Sequence, residues 1–486
     1  MTGTKHILRY GTVGDNVHIK TAINTFDYLA INANSAAYVS GAIAKFVVDE
    51  FFNNNSKGYF IDPITYAFQR NVHLLHTPEK KTKNEESKPK KNNKTPLKKS
   101  ILKLINCYGS PADKVLNDIT IQASDFNKNE NLETFCLSVL DFQFNTIQKY
   151  ITEKDMEKYL TYGAETALAD VTQLHPKFLV APYFYLDNID PDFEKWLEIN
   201  IKCIACSKEN AAQYGDIPIF AQIVLSQDSL NSKDTIKKIT DAYSACVCDG
   251  FTIWIDGLDE HQAELKQLVR FTQLLTHLRN KPIYNMYGGF FSILLTHKSI
   301  NLLNGVSHGL EYGESRAVYP VGGGIPTSKY YFMPLHQRTD FEKAYNLLEY
   351  NEILNANLSD WGPTDRYFTE ICKCQHCRKI MQNAMINFLE FESNGHYDVT
   401  KKTGAVYRRK KASPKTKENC LYHYLLCKKV EFSMVKRKNI DNILEELNEK
   451  KVRYEKCTPI NKYDFSYIDK WNIIINKLLK ANIINE

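Results

Sequence analysis

Pro218-Ile219-Phe220-Ala221-Gln222-Ile223-Val224 is a short apolar run. Phe251-Thr252-Ile253-Trp254-Ile255 and Pro282-Ile283-Tyr284-Asn285-Met286 repeat the pattern further on. Between the runs lie Ser232 to Val247 and Glu260 to Leu278, whose apolar residues recur at spacings of three and four. Apolar runs of this length read as buried strands and the spacers as amphipathic helices. Working outward, Gly58 to Ile61 and Lys177 to Ala181 fit the strand pattern, and Ile300 to Val306 extends it. Strand and helix alternate from about residue 20 to 335, which predicts an α/β fold with a parallel sheet. Roughly 300 residues suit a TIM-type (β/α)8 barrel with insertions, and an open doubly wound sheet is the alternative.

The 486 residues are 43% hydrophobic and 12% aromatic, which excludes a disordered chain, a collagen-like fibre and a disulfide-stapled mini-protein. No apolar run approaches the roughly 20 residues that cross a bilayer, and Met1 to Tyr10 lacks the apolar core of a secretion signal. The expectation is a soluble, cytoplasmic chain with no membrane partner. In a reducing compartment the twelve cysteines turn attention to metal binding rather than disulfides. Cys107, Cys136 and Cys457 stand singly in apolar surroundings and read as small buried hydrophobes.

The net charge of +6 is concentrated. Between Pro78 and Ser100 nine lysines face three glutamates, an excess equal to that of the whole chain. With three prolines and almost no apolar residue, this stretch reads as a disordered insertion at 78–100. It is either a solvated linker or a basic arm that adds sequence-independent phosphate affinity. The expected organisation is a barrel over 1–364, a zinc-binding subdomain over 365–430 and C-terminal helices over 431–486. Cys420 to the end reads as helices, and Leu421 to Leu447 as a packed surface helix.

Cys372-Lys373-Cys374-Gln375-His376-Cys377 is the most specific motif. Three thiolates within six residues can wrap one face of a tetrahedral Zn2+ ion, and a closed structural site needs a fourth ligand. His376, His396, Cys420, His423 and Cys427 are the candidates. Cys203-Ile204-Ala205-Cys206 has a redox or metal spacing but lies in an apolar segment with no partner pair, and Cys246 and Cys248 read as core.

In a barrel, chemistry belongs at the carboxyl ends of the strands. That selects Asp62, Tyr183, Gln222, Asp256 and Gly288, with Glu311 and Glu314 after the last run. Asp62 precedes Pro63, so it reads equally as a general base or nucleophile and as a helix cap. Gly322, Gly323 and Gly324 let backbone amides approach a phosphate, or form a turn.

The Cys-x-Cys-x-x-Cys knuckle, with His423-Tyr424-Leu425 downstream, resembles the tRNA-guanine transglycosylases, including relatives that act on DNA and install 7-deazaguanine bases. The resemblance implies a barrel with a zinc subdomain and selects His423 as the fourth ligand beside Cys372, Cys374 and Cys377. Asp62 to Gln69 is similar to the family's Asp-Ser-Gly-Gly-Phe-Gln motif, whose aspartate works at the reacting centre and whose aromatic residue stacks on the base. Gln222 falls on the family's glutamine-bearing strand. Gly250 to Glu260 resembles its Gly-Leu-Ala-Val-Gly-Glu region, and Lys281 to Gly289 its next strand and glycine turn. The sequence departs from the family around the nucleophile, where Glu311 is the nearest carboxylate and Glu314 the next, and at the base-reading glycines, replaced by Trp254 and Ile255.

The implied function is base exchange in tRNA or DNA. A carboxylate, Glu311 or Asp62, attacks the anomeric carbon while another acid handles protons. Tyr66, Phe68 or Trp254 would sandwich the extruded base. Gln69, Tyr183, Gln222, Asp256, Gly288, Gly289, Arg316 and the three glycines would complete the binding site. The partners implied are nucleic acid, a purine-like base and a second subunit in a homo- or heterodimer. The alternatives are a catalytically silent nucleic-acid-binding or partner subunit of the same fold, and simple N-ribosyl hydrolysis.

Overall fold

The computed structural model describes residues 3–11, 13–51, 57–77, 95–154, 157, 174–215, 217–310, 313–319, 328–354, 362–392, 396–400, 406–410, 413–460 and 462–483. Strands β1 (Lys5–Tyr10), β2 (Tyr28–Asn32), β3 (Gly58–Asp62), β4 (Leu179–Val180), β5 (Ile219–Leu225), β6 (Gly250–Ile255), β7 (Ile283–Asn285) and β8 (Gly305–Gly309) form one parallel sheet. Their order is β3-β2-β1-β8-β7-β6-β5-β4. The two edges meet where Lys177 N, just before β4, donates to Tyr59 O of β3 at 2.8 Å. The result is a nearly closed, TIM-like barrel.

Helices surround it: α1 (Asn16–Thr21), α2 (Ala33–Phe51), α3 (Lys99–Tyr108), α4 (Asn129–Gln148), α5 (Phe193–Glu209), α6 (Lys233–Ser244), α7 (Leu265–Leu278) and α8 (Phe290–Leu294). After β8 come a hairpin of β9 (Tyr330–Phe332) and β10 (Gln337–Thr339), then α9 (Phe341–Tyr350), α10 (Asp365–Glu370) and α11 (Gln375–Met381). A second hairpin, β11 (His396–Thr400) with β12 (Val406–Lys410), precedes α12 (Pro414–Arg437), α13 (Ile440–Cys457) and α14 (Tyr467–Ile483). No helix among the described residues is long and apolar enough to cross a membrane.

Alternation along each strand sends one set of side chains into the barrel and the other outward. Inside, Phe60, Phe178, Phe220 and Tyr284 stack in succession, with Phe60 to Phe178 at 4.3 Å and Phe178 to Phe220 at 4.1 Å between ring centroids. Two glycines make room for them. A Cβ on Gly250 would stand 2.3 Å from the Phe220 ring, and one on Gly305 would meet Lys5 O at 2.7 Å and Tyr284 at 2.9 Å.

Outside β1 and β8 the covering element is α12. Phe432 stacks on His6 (4.6 Å) and Tyr424 packs edge-on against His308 (5.0 Å). The C-terminal helix α14 docks on the loop after β6, where Trp471 Nε1 donates to Glu260 O at 3.2 Å. Ser413 caps α12 by accepting from Thr416 N, and Pro414 opens its first turn.

Three expectations are corrected. Leu421 to Leu447 belongs to two helices, because Lys438 is extended and Asn439 caps α13 through Asp441 N. Cys107 and Cys457 are exposed, while Cys136 is buried. Cys107 falls on the outer side of α3, whose core face is Ile101, Leu104, Ile105 and Tyr108. Thr95 to Ser100 is ordered: Leu97 pairs with His76, and α3 begins at Lys99. Residues 78–94 of the lysine-rich stretch lie outside the described residues.

Candidate functional site

The carboxyl ends of the strands gather Asp62, Tyr66, Tyr183 and Trp254 as the sequence suggested, and add two residues it did not, Arg9 and Tyr287. Asp62 ends β3 and is fully buried. Its Oδ2 accepts from Arg9 Nη2 at 2.8 Å, and its Oδ1 from Tyr183 Oη at 2.5 Å and Ile64 N at 3.2 Å. Asp62 therefore serves as an ion-pair partner and a turn former at once. The Arg9 guanidinium lies over Tyr287 (4.9 Å) and Trp254 (5.6 Å). Tyr66 touches Tyr183, Trp254 and Tyr319 at 5.6–5.7 Å between centroids.

The segment 315–319 crosses this mouth as a strap. Trp254 Nε1 and Gly257 N both donate to Arg316 O, at 3.1 and 2.9 Å, and Tyr319 Oη donates to Tyr66 O at 2.6 Å. Asp256 anchors it, with Oδ1 accepting from Val318 N and Oδ2 from Tyr185 Oη, both at 2.7 Å. Asp256 is thus a clamp on the strap.

The other expected residues have scaffold contacts. Phe68 packs edge-on against Tyr108 (6.2 Å). Gln69 brackets the backbone of Tyr185, donating to its O at 3.1 Å and accepting from its N at 2.7 Å. Gln222, inside the barrel, accepts from Thr252 Oγ1 at 2.9 Å, and its Nε2 has no hydrogen-bond partner among the described residues. Gly288 N donates to Ser307 O at 3.0 Å. A Cβ on Gly289 would stand 2.9 Å from Glu260 Oε2 and 3.0 Å from Glu314 Oε2. Glu311, Gly322, Gly323 and Gly324 lie outside the described residues.

Glu314 belongs to a second group, between the barrel and α12. The fully buried Lys428 pairs with Glu314, with Glu431 at 2.8 Å and with Tyr331 Oη at 2.9 Å. Glu431 also accepts from His336 Nδ1 at 2.6 Å and from Tyr331 Oη. Burial opposes the charge on Lys428, yet Glu314 and Glu431 hold its pKa above the ordinary value. Burial also opposes the charge on Glu431, but Lys428 and His336 pull its pKa down to about 2.

The Glu260 carboxylate accepts from Ser292 Oγ and N. Burial, reinforced by Glu314, pushes its pKa from 4.5 up to about 7 against the Ser292 hydrogen bond. The folded chain therefore holds this proton more tightly than the unfolded chain. The associated stability is full below about pH 4.5, falls as pH rises through about 7, and is gone above it. Glu260→Gln should remove this slope, so its unfolding free energy relative to wild type should gain about 3 kcal/mol across that window. Denaturant titrations at several pH values check this, and a pH-independent difference would sink it.

The third group joins the knuckle to α12. Cys372 precedes α11, Cys374 caps it, Cys377 lies in its first turn, and His423 comes from α12; all four are buried and their ligand atoms lie within 4.8 Å of one another. His423 Nδ1 is 3.8, 3.6 and 3.1 Å from the sulfurs of Cys372, Cys374 and Cys377. Metal bonds of about 2.3 Å to sulfur and 2.0 Å to nitrogen predict tetrahedral edges of about 3.5 Å, so the group fits an ion at its centre. His423 Nε2 donates to Tyr331 O at 2.7 Å, which turns Nδ1 toward the thiols.

Hydrogen bonds from Cys372, Cys377 and Cys427 hold Cys374 far below the usual thiol range, whereas burial pushes Cys377 up. Cys427 flanks the set, 3.7 Å from Cys372 Sγ and 3.6 Å from His423 Nδ1. Cys203 and Cys206 are buried in α5 beside Cys136, with Cys136 Sγ donating to Cys203 O at 3.9 Å, and Cys246 and Cys248 are buried too. These four are core, as expected. No protein-family model and no curated protein matches the chain.

Proposed function

We propose that the chain is a transglycosylase-type enzyme that exchanges a guanine-like base in tRNA or DNA. One observation carries the reading. Asp62 stands at the carboxyl end of β3 inside a ring of Tyr66, Tyr183 and Trp254, the place and residue types that hold an extruded base next to a reacting carboxylate. The three-thiol, one-imidazole group supports it. Soft thiolates with one nitrogen select zinc, and four protein ligands make the ion structural, leaving no open position for chemistry.

The residues divide the work as follows. Arg9 and Tyr183 fix the two oxygens of Asp62 so that the carboxylate presents one geometry to a sugar. The aromatic rings exclude water, which favours transfer to a base over hydrolysis. Entry of a base requires the strap 315–319 to lift from Trp254 and Tyr66, since their rings are in contact with it. In this reading Glu311 or Asp62 is the nucleophile, and the other is the acid or base.

A second reading, a silent nucleic-acid-binding subunit of the same fold, draws on two observations. Both oxygens of Asp62 are already occupied, and Glu314 is engaged by Lys428 rather than by the Asp62 group. Purified chain incubated with labelled guanine and either bulk tRNA or duplex DNA separates the two. Incorporation into one polymer, lost about 100-fold or more in Asp62→Ala and Glu311→Ala, supports exchange. Tight binding with no incorporation supports the silent subunit.

A further inference from the structure

Cys427 is a buried thiol that the tetrahedral set does not use. It lies one helical turn beyond His423 on α12, with its Sγ 3.7 Å from Cys372 Sγ and 3.6 Å from His423 Nδ1. The knuckle sulfurs take hydrogen bonds from residues nearby in the chain: Cys372 Sγ accepts from Cys374 N at 3.4 Å, Cys374 Sγ from Cys377 N at 3.3 Å and Cys377 Sγ from Tyr367 Oη at 3.2 Å. Donors of this kind hold thiolates in place on a metal. Cys427 instead meets the set from across the site, at its Cys372 corner.

The sulfurs differ in access and in freedom. Cys372 and Cys374 are 6% and 8% exposed, whereas Cys377 is 0% and Cys427 1% exposed, so a small solute arrives on the side of Cys372 and Cys374, and Cys427 stands behind them. Cys374 caps α11 and Cys377 lies in its first turn, which ties both to the helix. Cys372 precedes the helix and turns without unwinding it. A disulfide needs its sulfurs at about 2.05 Å, so the pair of Cys372 and Cys427 must close by about 1.7 Å, within the sweep of one side-chain rotation.

We propose that Cys427 is a resolving thiol, which joins Cys372 in a disulfide when a hydroperoxide reaches the site and so makes metal retention sensitive to oxidation. The Cys372 thiolate attacks one peroxide oxygen, the O–O bond breaks, and the other oxygen leaves as hydroxide or alkoxide. Cys372 is then a sulfenic acid. The Cys427 thiol attacks its sulfur, the S–O bond breaks, and the hydroxyl departs as water with the Cys427 proton. Two electrons pass from the sulfur pair to one peroxide. With Cys372 withdrawn, three ligands remain for a closed site that needs four, and the metal is released. A thiol reductant restores both sulfurs, so the switch is reversible. It requires a metal at the knuckle and stands whether or not the barrel exchanges bases.

Treating the full chain, reduced and zinc-loaded, with hydrogen peroxide tests it, with a chromogenic chelator reading released zinc and mass spectrometry of the peptides reading disulfides. Wild type should release about one ion per chain, carry a disulfide between Cys372 and Cys427, and rebind zinc after dithiothreitol. Cys427→Ser, and Cys427→Ala, which buries no hydroxyl, should hold zinc as wild type does before treatment. After peroxide their unresolved sulfenic acid should pass on to the sulfinic state, and the zinc capacity recovered with dithiothreitol should fall about fivefold or more below wild type. Four results would overturn the proposal: zinc kept under peroxide, a disulfide only between other cysteines, equal recovery in both variants, or zinc lost from both variants before treatment. No zinc in the untreated wild type would remove the metal assignment and the switch with it, whereas zinc kept under peroxide removes the switch alone.

Discussion

Serine in place of Cys374 is expected to reduce bound zinc from about one ion per chain to a small fraction of that. Cys374 Sγ is one of three sulfurs around His423 Nδ1 and the one its neighbours push furthest below the ordinary thiol range. Binding energy in closed zinc sites is folding energy, of order 10 kcal/mol for small metal-dependent domains, so its loss reaches beyond the ion. The group ties α11 to α12, and the stretch from about residue 365 to 430 should become open to protease while the barrel keeps its core. Cys427→Ser is the control, since Cys427 flanks the tetrahedral set without completing it. Elemental analysis of both variants gives the answer, and unchanged metal in Cys374→Ser would remove the assignment.

The second large effect belongs to Lys428. Its ammonium is wholly buried among Glu314, Glu431 and Tyr331. Lys428→Ala leaves Glu431 as an uncompensated buried charge beside a void, which costs about 3–5 kcal/mol. Replacing both partners, as Lys428→Met with Glu431→Leu, should cost less than the single change, because no charge is then stranded. Denaturant midpoints decide it. A single-variant loss below about 1 kcal/mol would mean that water reaches the pair.

The barrel was legible where strands are apolar throughout, as in β5 and β6, because burial on both faces writes a continuous run. β1 was not legible. Lys5, His6 and Arg9 interrupt it, and only the fold shows that Arg9 points into the mouth with Asp62 as its counter-charge. β8 reads Gly-Val-Ser-His-Gly, too weak a signal for its limits, and its Gly305 makes room for Tyr284 and the Lys5 backbone.

The knuckle and His423 were legible because metal ligation constrains spacing. Lys428 and Glu431 were not, for a physical reason: a buried pair three residues apart has the same sequence as a solvated surface pair. The aromatic ring was half legible, Tyr183 from its place after a strand and Tyr66 and Trp254 from the family resemblance, whereas Tyr287 and Tyr319 join it only in the fold.

The cover that α12 lays over β1 also imposes an order in time. His6 is made near the start of synthesis and Phe432, which stacks on it, more than 400 residues later. At roughly 5–20 residues per second, the outer wall of the first strand waits about 20–80 s before its covering helix leaves the ribosome. Once β8 has followed, the outer faces of β1 and β8, with Leu8 and Val306, stay uncovered until α12 arrives, the kind of surface that chaperones hold.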